Sequence, residues 1–186
     1  MRTSDADILF VPGLGNSGPD HWQTRWEKKL STGRRVEQKD WDHPRLADWT
    51  ARLIEEIAHA AEASRPAVLI AHSLGSIAVV HAAPLIAPGK VTGAYLITPP
   101  SDGAIATLPG VDPAFVPTPM SPLPFPSVLV ASRTDPYGSY TDAQAKAQAW
   151  GSTLVDAGNA GHINTQSGHG PWPEGLMRLA TFLKTL

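Results

Sequence analysis

The clearest indication of the fold lies in Ala67-Val-Leu-Ile-Ala-His-Ser-Leu-Gly-Ser-Ile-Ala-Val-Val80. Its first four residues are apolar without polar alternation, which is typical of a strand buried on both faces of a parallel sheet. A helix-compatible apolar pattern resumes at Ile77. A strand, a sharp turn with Ser73 at its apex and a helix together predict a nucleophile elbow, the turn that exposes an attacking serine.

An elbow of this kind requires small residues two positions before and two positions after the serine, because strand and helix approach closely there. Gly75 fills the second position, and Ala71 stands where glycine is usual, a departure of one methyl group. Ser73 is therefore the candidate nucleophile. The alternative is that Ser73 only caps an ordinary crossover helix.

The composition narrows the class of protein. With 186 residues, the chain is long enough for the single domain with a substantial core that we predict over 1–186. A net charge of -2 gives no electrostatic argument for a nucleic acid or an anionic membrane as partner. The absence of cysteine excludes disulfides and thiolate chemistry, and it fits a cytoplasmic location. The first seven residues, with Asp5 and Asp7, predict no signal peptide.

Strand and helix patterns alternate along the chain. Predicted strands cover 7–11, 35–41 near a sheet edge, 67–70, 91–98, 127–132 and 152–157. Five helices are predicted. The first begins after Asp20 as N-cap, the second runs from Leu46 to a stop at Ser64-Arg65-Pro66, and the third follows the elbow. The fourth runs from a Ser139 cap to Trp150, and the fifth covers 174–186. This alternation predicts an α/β domain of about six mostly parallel strands, with right-handed crossovers placing helices on both faces.

One segment interrupts the alternation. Residues 99–126 contain nine of the 18 prolines and few charges, so a regular crossover helix is not expected there. Long loops in compact domains are usually functional. We therefore predict a proline-rich flap near the site, with one helical turn around 112–115 and with pocket-lining side chains from Phe115, Met120 and Phe125.

Ligands of such sheets bind beyond the carboxyl ends of the strands. The chain places Ser73, Asp135 and His162 at such ends, in the order Ser, Asp, His that α/β-hydrolases use. Acyl transfer needs this nucleophile, a carboxylate that orients the base, and the base itself. It also needs oxyanion donors, for which we predict the backbone N–H groups of Leu14 and Leu74.

Other histidines compete for these roles. His169 lies seven residues after His162 and is the alternative base. His72 precedes the nucleophile and is interpreted as structural or as a pocket wall, and His21 is a further candidate for the pocket lining. Among the carboxylates, Asp102 and Asp156 do not match a strand end as Asp135 does.

Two patterns suggest other ligands. Asp40, Asp42 and His43 imitate a metal site, but their adjacent spacing without a partner motif favours a solvated strand end, and we predict no metal. The glycine-rich loop 13–18 suggests a flavodoxin-like nucleotide-binding domain, yet it lacks the P-loop lysine and the dinucleotide spacing.

Several short motifs occur in one order: Val11-Pro-Gly-Leu-Gly, Asp20-His-Trp-Gln, Ala71-His-Ser-Leu-Gly, Leu123-Pro-Phe-Pro, Ala131-Ser-Arg-Thr-Asp-Pro-Tyr, Gly161-His-Ile-Asn and Trp172-Pro-Glu-Gly. In this combination the chain resembles the small α/β-hydrolases grouped with the retinoblastoma-binding serine hydrolase and its YdeN-type relatives. The resemblance implies a compact hydrolase fold without a large lid, the same triad of Ser73, Asp135 and His162, and an oxyanion loop at 12–14. The Leu-x-Cys-x-Glu segment used for pocket-protein binding is absent, since the chain has no cysteine.

The expected function is a carboxylesterase-type serine hydrolase acting on small acyl esters, with amides or thioesters as further possibilities and no cofactor. Its expected partner is the small acyl substrate, with no nucleic acid and no membrane, and the sequence leaves a protein partner unknown. Candidate substrate-binding residues are Gly13, Asn16, His72, Phe125 and Trp172. The alternative is a protein-binding or scaffold role on a hydrolase fold with little or no turnover.

Overall fold

A computed structural model describes residues 1–62 and 65–186. It contains one sheet in which every neighbouring pair of strands is parallel, in the order β2-β1-β3-β4-β5-β6. The strands are β1 (Asp7–Val11), β2 (Gly33–Arg35), β3 (Ala67–His72), β4 (Val91–Ile97), β5 (Ser127–Ala131) and β6 (Thr153–Asp156). The predicted α/β class with a parallel sheet is confirmed, and β2 lies at an edge as expected.

Helices cover both faces of the sheet. They are α1 (Trp22–Glu27), α2 (Leu46–Glu62), α3 (Leu74–Ala82), α4 (Asp102–Ile105), α5 (Tyr140–Trp150) and α6 (Pro173–Leu183). One buried cluster joins α2, α3 and α5 to one face, and a second joins α1 and α6 to the other. The predicted stop of α2 at Ser64 lies outside the described residues.

The direction of strand order reverses between β1 and β3, since β2 lies on one side of β1 and the later strands lie on the other. After β1 and β3 the chain continues to helices on opposite faces of the sheet, α1 and α3, which leaves a crevice at their carboxyl ends, the usual ligand position in an open parallel sheet. The loop after β1 and the elbow after β3 meet at this crevice.

The predicted second strand, 35–41, is wrong in its position. The N–H of Val36 still donates to the Phe10 carbonyl at 2.9 Å, after which the chain leaves the sheet. The Trp41 carbonyl then accepts from the N–H of Gly15 at 2.9 Å, so this stretch supports the loop after β1 instead of extending β2.

The predicted Asp20 cap of α1 is also wrong. The N-cap is His21, whose Nδ1 accepts from the N–H of Gln23 at 3.2 Å. Asp20 pairs on the surface with Arg25 at 2.8 Å. In α5, by contrast, the Ser139 cap is confirmed.

The proline-rich segment follows a different path from the one expected. It contains α4, which the prolines gave no reason to predict, and a 3-10 turn at Pro113–Phe115 in the predicted place. Phe115 is fully buried against Trp49, with ring centroids 5.9 Å apart, and Met120 is half exposed. Phe125 lies before β5, at the amino edge of the sheet.

Within the described ranges, no helix has the length and apolar character that a membrane crossing requires.

Candidate active site

Ser73 occupies a strained turn between β3 and α3, with φ 54° and ψ -129°. Non-glycine residues adopt such positive φ angles rarely, and they persist only where the surrounding structure enforces them. The hydroxyl makes no capping hydrogen bond to α3. The side chain of Ser73 is therefore free for another partner, and it does not act as an ordinary helix cap.

The elbow depends on the absence of a side chain at Gly75. A Cβ atom there would lie 2.3 Å from the carbonyl oxygen of Val11 and 2.4 Å from that of Pro12. Both are backbone atoms at the end of β1, so they cannot yield without moving the strand. Ala71, two residues before Ser73, is accommodated with its methyl group fully buried.

We expect Gly75→Ala to lower the free energy of unfolding by about 1–3 kcal/mol or more, as overpacking of a close contact does. For a chain of this size that corresponds to a fall in melting temperature of roughly 2–4 °C per kcal/mol. The matched control is Gly103→Ala in α4, where a Cβ meets nothing within 4 Å. Thermal unfolding followed by circular dichroism measures both variants. A Gly75→Ala protein that melts like wild type would contradict the close approach.

The structure brings Ser73, His162 and Asp135 together. Nε2 of His162 lies 2.8 Å from Oγ of Ser73, and Nδ1 lies 2.9 Å from Oδ1 of Asp135. A carboxylate only accepts, so Nδ1 of His162 donates to it and the neutral ring presents a lone pair at Nε2 to the serine hydroxyl. The side chains of His162 and Asp135 are 8% and 4% exposed, so water scarcely competes for these bonds.

Loops after β5 and β6 hold the histidine in place. Ser132 Oγ accepts from the N–H of Ala160 at 3.0 Å, and Thr134 Oγ1 accepts from that of Gly161 at 3.1 Å. The carbonyl of His162 accepts from Nε2–H of His72 at 2.8 Å and from the hydroxyl of Thr98 at 3.2 Å. Four bonds thus fix the backbone on both sides of the ring, which leaves the imidazole little freedom to leave Asp135.

The N–H groups of Leu14 and Leu74 donate to no group in the part of the chain that the structure describes. They lie on the two loops that meet at the crevice. Gly13 brings those loops into contact, since a Cβ on it would lie 2.8 Å from Cβ of Ser73. The two N–H groups therefore lie on loops that are in contact at Ser73, and backbone donors of this kind stabilise oxyanions in acyl transfer.

Arg35 holds the loop after β1 in place through hydrogen bonds. Its guanidinium donates to Oδ1 of Asn16 at 2.8 Å and to the Ser17 carbonyl at 2.9 Å, and it pairs with Glu27 at 2.7 Å. The arginine side chain is 9% exposed. Sequence reasoning missed this role, because an arginine in an edge strand carries no signal of what it will contact.

A cavity of about 280 Å³ opens in front of Ser73. Of the predicted substrate-binding residues, Gly13, Asn16 and His72 line it. The two others do not: Phe125 lines a different cleft at the amino edge, and Trp172 packs between α1 and α6. The proline-rich segment contributes only its first part. The remaining lining is formed by Leu14, Gly18, His21, Pro100, Leu108, Tyr137, His162, Asn164, Thr165 and Gln166.

Sequence reasoning did not assign Tyr137, Asn164 or Gln166 to the site. Tyr137 stands two residues after Asp135, its ring lies edge-on to His162 at 4.6 Å, and its N–H donates to Oδ1 of Asp135 at 3.0 Å. Asn164 stands two residues after His162. Proximity in sequence to the two functional loops was the available signal for all of them.

His21 and His72 are buried and neutral. Burial lowers the pKa of His21 to about 4, and the positive charge of Arg35 contributes in the same direction. Burial likewise holds the pKa of His72 well below its usual value. His72 donates from Nε2 to a carbonyl, so it serves the His162 loop and is not placed to act as the base.

The alternative base lies elsewhere. His169 bonds through Nδ1 to the hydroxyl of Ser167 at 3.1 Å, and its ring faces Trp172 at 6.1 Å. It does not line the cavity. The structure thus places His162, and not His169, against Ser73.

The remaining polar cluster forms an exposed turn. Oδ1 of Asp40 accepts from the N–H groups of Asp42 at 2.9 Å and His43 at 2.8 Å. Across the described residues, no three His, Asp or Glu side chains come together as metal ligands.

A parallel sheet with a strained serine elbow at its topological switch point defines a class, the α/β-hydrolase fold with a serine-hydrolase type of site. The sequence model of the serine hydrolase family matches residues 8–181. The chain therefore belongs to the serine hydrolase family, which supports hydrolase activity.

Solved structures agree with this placement. A protein of Pectobacterium atrosepticum described as a YdeN-like hydrolase is 35% identical, with a TM-score of 0.84 over 98% of this chain and 94% of that one. The ydeN product of B. subtilis is 18% identical, with a TM-score of 0.75 over 96% and 99%. Thermogutta terrifontis esterase 2 is 18% identical, with a TM-score of 0.72 over 100% and 85%. The last two share the fold. No curated protein sequence matches the chain significantly.

Proposed function

We propose that this protein hydrolyses small acyl esters through a covalent acyl-serine intermediate on Ser73. The observation that carries the proposal is the continuous series of hydrogen bonds from Ser73 through His162 to Asp135, at 2.8 and 2.9 Å. Nucleophile, base and orienting carboxylate within hydrogen-bond reach of one another are the signature of an activated serine.

In the first half-reaction, Oγ of Ser73 attacks the acyl carbon while Nε2 of His162 accepts the hydroxyl proton. The carbonyl oxygen becomes an oxyanion, which the N–H groups of Leu14 and Leu74 stabilise. The tetrahedral intermediate collapses, the bond to the alcohol breaks, and His162 returns the proton to the departing oxygen. Asp135 remains ionised and stabilises the imidazolium throughout.

In the second half-reaction, water replaces the alcohol. His162 accepts a proton from the water molecule as its oxygen attacks the acyl carbon. The second tetrahedral intermediate then releases Oγ of Ser73, which recovers its proton from His162, and the carboxylic acid leaves. Each half-reaction uses the same groups, so no cofactor enters the proposal.

Two further observations favour an esterase. The cavity of about 280 Å³ lies at the small end of ligand pockets and suits a short substrate. The structural neighbour Thermogutta terrifontis esterase 2, 20% identical in this form, has been solved phosphonylated by cyclosarin. Organophosphorus agents modify activated serines because phosphorus takes the place of the acyl carbon under attack.

The test is treatment of the purified protein with a fluorophosphonate probe, together with turnover of p-nitrophenyl esters from acetate to octanoate. We expect stoichiometric labelling at Ser73, located by peptide mass spectrometry, and faster turnover of the short esters. Absence of both labelling and turnover in folded protein would overturn the proposal and favour the binding role.

The cellular location of the protein stays a prediction from the cysteine-free sequence, which favours the cytoplasm.

A further inference from the structure

The cavity in front of Ser73 is polar but carries no permanent charge. No Asp, Glu, Lys or Arg of the described chain lines it, although His21, Asn16, Asn164 and Gln166 do. A charged substrate group would find no opposite charge there, and it would have to lose its hydration. The lining is therefore suited to a neutral, polar ligand.

The orientation of the two asparagines is fixed by their partners. Oδ1 of Asn16 accepts from the N–H of Ser17 at 2.7 Å and from Arg35 at 2.8 Å. Oδ1 of Asn164 accepts from the N–H of Ser167 at 3.0 Å. In both residues the oxygen is engaged by a donor, so the Nδ2 hydrogens remain, and they have no protein partner over 1–62 and 65–186.

His21 is oriented in the same way. Its Nδ1 accepts from the N–H of Gln23 at 3.2 Å, so the proton of the neutral ring is on Nε2. Nε2 has no partner among the residues that the structure describes, although the side chain lines the cavity and the residue is only 5% exposed. Nε2–H is not sealed from solvent, so it is available to an acceptor atom of a ligand in the cavity.

The free groups of fixed orientation in the cavity are thus mostly donors. His72, whose Nε2–H is used by the His162 carbonyl, retains an acceptor at Nδ1 and is the exception. The side chains of Tyr137, Thr165 and Gln166 can act in either sense. A ligand that satisfies this lining must carry acceptor atoms.

The ring positions indicate which part of the substrate meets His21. The ring centroid of His72 lies 4.9 Å from that of His162 and 5.0 Å from that of His21, whereas no ring contact joins His21 to His162 in the described chain. The leaving alcohol must be next to His162, from which it takes its proton. His21 lines the cavity without such a contact with His162, so the acyl part is assigned to it.

We propose that the acyl group of the substrate is short and uncharged and carries an ether or carbonyl oxygen that accepts a hydrogen bond from Nε2–H of His21. This inference rests on the proposed ester hydrolysis and names its substrate class. It makes His21 a specificity-determining residue, and it accounts for a histidine that the acyl-transfer steps do not use.

The experiment compares matched pairs of p-nitrophenyl esters. Methoxyacetate is paired with butanoate, and 3-methoxypropanoate with pentanoate, so that an ether oxygen replaces one methylene at two distances from the carbonyl. Each kcat/KM is divided by the rate constant of hydroxide hydrolysis, which removes the intrinsic reactivity of the ester. We expect wild type to prefer the ether member of at least one pair about 3- to 10-fold, the range of one neutral hydrogen bond.

Two variants separate the donor from the helix cap. His21→Ser keeps a capping oxygen but removes the ring donor. His21→Phe keeps the ring volume but removes both. We expect the preference to fall to about 1 in each, whereas the surface control His59→Ser retains it. Circular dichroism establishes that the variants are folded, and the wild-type preference itself needs no variant.

Each of the other possible results contradicts a specific part of the proposal. A wild-type preference near 1 in both pairs would overturn the acceptor requirement, and a preference that survives in both folded His21 variants would overturn the role of His21. Fluorophosphonate labelling of Ser73 without turnover of any of the four esters would overturn the substrate class while leaving the activated serine in place. Absence of both labelling and turnover in the wild-type protein would overturn the proposed ester hydrolysis itself.

Discussion

Ser73→Ala is expected to reduce kcat for p-nitrophenyl ester hydrolysis by about 10⁵- to 10⁶-fold and to abolish fluorophosphonate labelling. The variant retains the cavity and the oxyanion donors but has no atom to form the acyl bond. Initial rates at saturating ester measure the loss. The melting temperature should change little, because alanine experiences the same unfavourable φ of 54° as serine.

Ser76→Ala is the matched control for that variant. Ser76 lies three residues further along, on the first turn of α3, and is fully buried, with a long contact of 3.4 Å from its Oγ to the Ile97 carbonyl. It should retain labelling and near wild-type rates. Activity of Ser73→Ala within tenfold of wild type would show that another nucleophile, or water alone, carries the reaction.

The second large effect is expected at the base. His162→Ala should lose about 10⁵- to 10⁶-fold in kcat, since a serine without its base is a poor nucleophile at neutral pH, and nucleophile and base act as a unit. The double variant Ser73→Ala/His162→Ala should therefore be no slower than either single variant. Single-turnover labelling rates with the probe provide an independent measurement.

His169→Ala distinguishes the two histidines of the loop after β6. We expect kcat within about threefold of wild type, because the ring of His169 contacts Ser167 and Trp172 and does not line the cavity. The reverse pattern, in which His169→Ala is inactive and His162→Ala is active, would require a rearrangement of the loop that holds His162.

Much of the fold was predictable because buried parallel strands have an unmistakable composition. The strands predicted at 7–11 and 127–132 match β1 and β5 almost residue for residue. The edge strand was not predictable to the same degree, since a strand with one neighbour needs few buried residues and its pattern is weak. The path of 99–126 was unpredictable for a related reason: prolines exclude regular structure without indicating where the chain goes.

The site divides in a similar way. Topology alone places Ser73, Asp135 and His162 after the carboxyl ends of β3, β5 and β6, at one edge of the sheet, and the structure brings them within hydrogen-bond distance. The wall of the cavity depends on how loops lie across those ends, so Phe125 was wrongly expected there and Asn164 was missed. His21 was considered only as a pocket-lining residue, because its role as a donor depends on the hydrogen bond at Nδ1 that places its proton on Nε2, and that bond forms only in the folded chain.

The positive φ of Ser73 also bears on how this protein would respond to selection. A backbone in this region costs of the order of 1–3 kcal/mol for a side-chain-bearing residue, whereas glycine enters it readily. Ser73→Gly relieves that strain and removes the reacting oxygen in a single step. Laboratory evolution for heat resistance alone would therefore favour inactive descendants at this position, and only a screen that also demands turnover would retain the serine.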